Sequence, residues 1–138
     1  PPPTATLAPT PTATAAPTPT PTSLEIVCVL FDGEVYRTES DEYVEIRNTG
    51  RTPVQLQGWT LFDSADGTPS ITFPNHLVNP GKFVRVYTNE VHPETGGFSF
   101  GSGGAIWNNS EPDVATLLNP EGGVVGSKSY DVANPPGC

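Results

Sequence analysis

From Leu24 onward, apolar and polar side chains alternate in short runs broken by turn residues. Glu42-Tyr43-Val44-Glu45-Ile46-Arg47-Asn48 keeps a strict period of two until Thr49-Gly50 stops it. That is the pattern of a strand with one buried face and one wet face. Leu24 to Phe31 is a second such run, ended by Asp32-Gly33, and Val54-Gln55-Leu56-Gln57 leads through Gly58 into Trp59-Thr60-Leu61-Phe62-Asp63. Gly58 in that position predicts a bulge or a change of sheet. Ser70 to Phe73 is stopped by Pro74, and Asn79-Pro80-Gly81 precedes Lys82 to Thr88. Phe98-Ser99-Phe100 and Ala105-Ile106-Trp107 flank a Gly-Ser loop, and Val114 to Leu118 and Val124 to Val132 supply the last runs. Seven to nine short strands with closely spaced turns, and no sustained helical period, predict an all-β fold, an antiparallel β-sandwich. Its expected core is Trp59, Leu61, Phe73, Val84, Val86, Trp107, Leu117 and Tyr130.

The first 23 residues follow no such pattern. They contain 8 Pro, 8 Thr and 5 Ala with Leu7 and Ser23, and no charge. The 138-residue chain therefore divides into a Pro/Thr-rich tail, 1–23, and a β domain, 24–138. Recurrent Pro excludes a helix and a central strand, leaving extended polyproline II. At about 3.1 Å per residue such a strap reaches roughly 70 Å. Dense Thr beside Pro is the composition of O-glycosylated stalks, which makes Thr4, Thr6, Thr10, Thr12, Thr14, Thr18, Thr20 and Thr22 candidate sites. The alternative is a bare linker. A strap lying along a sheet edge or groove of the next copy would make a head-to-tail contact that does not close, and so a fibre.

Charge and cysteine narrow the class further. Six bases against fifteen acids give a net charge of −9, which argues against nucleic acid as a partner. No apolar run reaches the ~18 residues of a membrane span. Pro at position 1 is expected to follow N-terminal processing. Cys28 and Cys138 bracket the β domain. In an oxidising compartment they can tie the C-terminus to the first strand, which the chain-entropy model values at about 4–5 kcal/mol for a loop of this size. In a reducing one they are a buried and a terminal thiol. A terminal Cys after Asn134-Pro135-Pro136-Gly137 favours the bridge.

Candidate chemistry is sparse. His76 and His92 fall in predicted loops with no nucleophile at a telling spacing, so an enzyme is not expected. Asp63 with Asp66-Gly67 is more economically a β-turn than a calcium loop, since the later ligands are missing. Glu39, Asp41 and Glu42 read as a solvated acidic loop. Gly101-Ser102-Gly103-Gly104 has no following Lys and is not a phosphate loop. Asn108-Asn109-Ser110 fits the N-glycosylation pattern, or Asn108 is fixed in the turn after Trp107. Two distant Cys make no ligand cluster, so neither metal nor cofactor is expected.

Several segments also match, in order, those of one family. They are Glu42 to Gly50, Leu56 to Asp63, Phe73-Pro74, Pro80-Gly81 leading to Val86-Tyr87-Thr88-Asn89, Trp107-Asn108-Asn109, Asp113 to Asn119, Gly122, and Ser129-Tyr130. Together they resemble the lamin tail domain over about residues 24–131. The resemblance implies an immunoglobulin-like sandwich with a binding or structural role and no catalytic residues. Nuclear partners do not carry over to an acidic chain without a basic patch; the secreted bacterial branch suits the strap better. The expected function is that of a non-enzymatic extracellular structural protein, a homopolymer joined through its tail, with covalent glycans. The alternative is a stalk-tethered adhesion or substrate-binding module cut from a larger protein. An exposed aromatic patch on one sheet would favour that alternative.

Overall fold

A computed structural model describes residues 3–4 and 23–138. Ten strands lie among the described residues: β1 Leu24–Leu30, β2 Tyr43–Asn48, β3 Val54–Gln55, β4 Thr60–Asp63, β5 Ser70–Thr72, β6 Leu77–Val78, β7 Phe83–Tyr87, β8 Phe98–Ser99, β9 Ala115–Leu118 and β10 Val124–Lys128. One sheet has the order β1-β2-β7-β8, the other β10-β9-β4-β5, and β3 and β6, separated in sequence by β4 and β5, form a small two-stranded sheet. Every pairing is antiparallel except β7 with β8. The chain is an all-β, immunoglobulin-like sandwich.

Alternation places the core. Val44 and Ile46 of β2, Val84 and Val86 of β7, Leu61 of β4, and Ala115 and Leu117 of β9 turn inward and are buried. Trp59, Phe73 and Trp107 fill the space between the sheets. Each such side chain contributes about 1.5–3 kcal/mol by leaving water. Tyr130 lies at the rim: its ring stacks on Phe31 at 4.3 Å, while its hydroxyl donates to the Asn108 carbonyl at 2.8 Å.

In β1 the register shifts between Ile26 and Cys28, so Val27 is an extra residue. The bulge lets Ile26 and Val29 both face the core and sets Cys28 opposite Glu45, on the outer face. Gly58, at φ +84°, is the point where the chain leaves the β3–β6 pair for the second sheet. Asn48, at the end of β2, anchors that pair: its side-chain amide donates to the Thr52 and Val78 carbonyls and accepts from the Gly50 amide.

Three expectations need correction. The strands number ten, because Leu77–Val78 is too short to announce itself until β3 pairs with it. Ala105-Ile106-Trp107 is not a strand; the Ile106 amide is given to the Glu42 side chain rather than to a ladder. The last strand stops at Lys128, where Ser129 turns to bond the Asp113 carbonyl.

Beyond that turn the C-terminal segment runs back along β1. The Phe31 amide donates to the Pro136 carbonyl at 3.0 Å, and Cys138 is bridged to Cys28. Gly137 has φ +102°, and a Cβ there would collide with the Val29 carbonyl, so glycine is required on both counts.

Candidate functional site

The inward alternation of β2 and β7 leaves their other residues on the outer face, and the register aligns these in three pairs. Tyr43 lies opposite Tyr87, Glu45 opposite Arg85, and Arg47 opposite Phe83. Opposed residues on one face interact directly. Arg85 Nε donates to Glu45 Oε1 at 2.9 Å, and Arg47 donates to Glu45 Oε2 at 3.3 Å. The Arg85 guanidinium sits 4.2 Å above the Tyr43 ring and 5.2 Å from the Phe83 ring, and Arg47 is 5.0 Å from Phe83. At the far end His92 stacks on Tyr87 at 4.1 Å.

The outer face therefore carries two half-exposed rings, Tyr43 and Phe83, with two guanidinium groups around one carboxylate, while Tyr87 is buried beneath His92. Glu45 is only 7% exposed, so its charge is compensated by its two arginines rather than by water. Tyr43 and Phe83 remain half-buried, and burial raises the Tyr43 hydroxyl above its usual range. Glu25 of β1 stands opposite Arg47 and adds a second carboxylate. The outward charges of β1, β2 and β7 are then Glu25 and Glu45 against Arg47 and Arg85, a sum of zero on a chain of net charge −9. Such a face offers π surfaces and guanidinium donors and repels neither sign of ligand.

Glu42 does not belong to a solvated loop. It is fully buried at the start of β2, and its Oε2 accepts from Thr88 Oγ1 at 2.8 Å and from the Ile106 amide at 2.9 Å. Oε1 has no hydrogen-bond partner, and neither has the buried indole nitrogen of Trp107. Burial pushes the Glu42 carboxyl up to about 8, against the lowering by its hydrogen bonds. Parity separates it from Glu39 and Asp41, since it stands two residues before Val44 and four before Ile46, on the inward face of the same alternation. Glu39 is half-buried with its side chain bound to Asn109, and Asp41 accepts from the amides of Glu34 and Val35.

Asp63 makes a turn, its Oδ1 accepting from the amides of Ala65 and Asp66. The fold adds Asp113, and carboxylate oxygens of Asp63, Asp66 and Asp113 come within 4.8 Å of one another. These three residues could hold a cation, although Asp113 already accepts from the Asn108 backbone and side chain. Burial, then the Asp113 charge, raises the Asp63 carboxyl. Asn108 is exposed with its side chain tied to Asp113. Of the strap threonines Thr4 is exposed; Thr6, Thr10, Thr12, Thr14, Thr18, Thr20 and Thr22 lie outside the described residues.

Neither histidine is set for nucleophilic catalysis. The His76 ring packs edge-on against Phe98 at 5.1 Å. Both ring nitrogens of His92 face carboxylates, Glu90 at 2.8 Å and Glu94 at 3.0 Å. The Glu90 hydrogen bond raises the His92 pKa.

The strand order defines an immunoglobulin-like β-sandwich. The family model of the Lamin Tail Domain matches residues 17–131, and the chain belongs to that family, whose members are non-catalytic immunoglobulin-like domains. Comparison with curated proteins found no match.

Proposed function

We propose that the chain is a non-enzymatic extracellular recognition module, carried on its Pro/Thr strap, that binds through the outer face of β1, β2 and β7. The observation that carries this reading is the half-exposed pair Tyr43 and Phe83 interleaved with Arg47 and Arg85. Aromatic and arginine side chains are the residues that dominate binding energy at protein interfaces. The Cys28–Cys138 bridge supports an oxidising location. No helix among the described residues is long and apolar enough to cross a membrane. O-linked sugar on the strap threonines would suit a stalk exposed to proteases.

Capture of the full chain on immobilised extracellular polysaccharides and on immobilised copies of itself tests this. Tyr43→Ala with Phe83→Ala should weaken capture about tenfold or more while melting stays cooperative. Undiminished capture by the double variant would remove the face from the function.

A fibre subunit is the second reading, and one observation favours it. The strap joins the sheet at Leu24, opposite Asn48 and one residue from the Arg47 end of the ladder. Electron micrographs of the full chain should then show filaments about one sandwich wide.

A further inference from the structure

We propose that the ligand of the outer face is the Pro/Thr strap of a second copy, laid across Phe83 and Tyr43. This rests on the reading of that face as a binding face, and it names the partner.

Four features of the molecule lead there. The first is chemistry. A polyproline segment makes no internal hydrogen bonds, and it is recognised by aromatic surfaces on which its rings pack and by side-chain donors for its carbonyls. The ladder supplies half-exposed rings at Tyr43 and Phe83, and Arg47 has 41% of its side chain exposed. The second is charge. The outward charges of β1, β2 and β7 balance, with Glu90 and Glu94 beside His92 at the far end, and residues 1–23 contain no charged side chain, so a strap on Tyr43 and Phe83 strands no unpaired ion.

The third is reach. The five residues of β7 span roughly 17 Å, which about six residues of polyproline II cover. A strap of roughly 70 Å leaves most of its length to bridge two molecules.

The fourth is direction. The Ser23 carbonyl accepts from both the amide and the hydroxyl of Thr49, at 2.7 and 2.9 Å. This holds Ser23 in line with β1, at the Arg47 end of the ladder. Laying the strap on its own face would need a reversal at that clamped residue, whereas a neighbour's face needs none. Strand addition at β1 is closed as well, because the C-terminal segment holds the Phe31 amide and Pro cannot complete a ladder. The contact joins two different surfaces and so propagates instead of closing.

The test adds a synthetic unglycosylated peptide of residues 1–22 to the isotope-labelled full chain. Amide signals of β2 and β7 should shift, and the peptide should dissolve any concentration-dependent assembly seen by sedimentation. Tyr43→Ala with Phe83→Ala should weaken peptide binding about tenfold or more. Arg47→Ser, which leaves every ring in place, should weaken it less. Shifts confined to β5 or β10, or no shifts at millimolar peptide, overturn the proposal. In that event the polysaccharide arm of the capture experiment still decides the recognition reading by itself. Peptide binding at β2 and β7 without assembly keeps the docking site and removes the fibre.

Discussion

Glu42 is a carboxylic acid that burial holds in its neutral form well past the usual carboxylate range. Its folded pKa, about 8, lies above its ordinary value of 4.5, so the folded state binds this proton more tightly than the unfolded chain does. The stabilisation is complete below the ordinary value and drains away as pH rises through 8. Glu39 is the charge that pushes in the same direction, and Thr88 and Ile106 are the partners that oppose it. Melting temperature should therefore fall between pH 5 and 9, and Glu42→Gln should flatten that slope. An equally steep slope in the variant would assign the pH dependence elsewhere. Half of this placement was legible: period two puts Glu42 on the face of Val44 and Ile46, but the partners that close over its carboxylate, Thr88 and the Ile106 amide, lie 46 and 64 residues away and come only from the fold. The ladder was half legible. Alternation put Val44, Ile46, Val84 and Val86 inside, and so Tyr43, Phe83, Arg85 and Tyr87 outside. Only the register shows that rings and cations alternate across the strand pair.

At the scale of elements, β1 is the strand most dependent on distant chain. The β1–β2 ladder guards one side; on the other, the Pro136 carbonyl and the bridge from Cys138 cover an edge that would otherwise be free to pair. Reduction, or Cys138→Ser, should lower stability by up to about 4–5 kcal/mol on the chain-entropy model. Chemical denaturation with and without reductant measures it. Loss of amide protection should begin at Phe31, whose hydrogen bond goes with the segment. Longer strands and their turns were readable because alternation and Gly or Pro punctuation are local. The β3–β6 pair was not, since two-residue strands exist only through each other and through Asn48. Trp107 misled for the converse reason: an apolar triplet looks like a strand, yet its backbone serves Glu42.

For the whole molecule, the alternation sufficed for the all-β sandwich, and the family followed from short segments that the fold spreads over both sheets. Function was less legible because the strap and the face that we pair with it lie in separate parts of the chain. Each looks inert alone. Joining them makes one testable assembly in which a neutral strap meets the neutral face of an acidic body.

The bridge also decides how the molecule answers tension. It links the fifth residue of the first strand to a cysteine 110 positions later. A pull between the strap and Cys138 is thus carried by Leu24 to Cys28 and then by the sulfurs, and the enclosed chain bears none of it. Optical tweezers should find that the oxidised protein yields only that short strand. The reduced protein should give up roughly 350–400 Å of extension, at about 3.4 Å for each released residue. A long step in the oxidised protein would mean that the load takes another route. A copy held at Cys138 and pulled by its strap could thus be stretched hard without surrendering its sandwich.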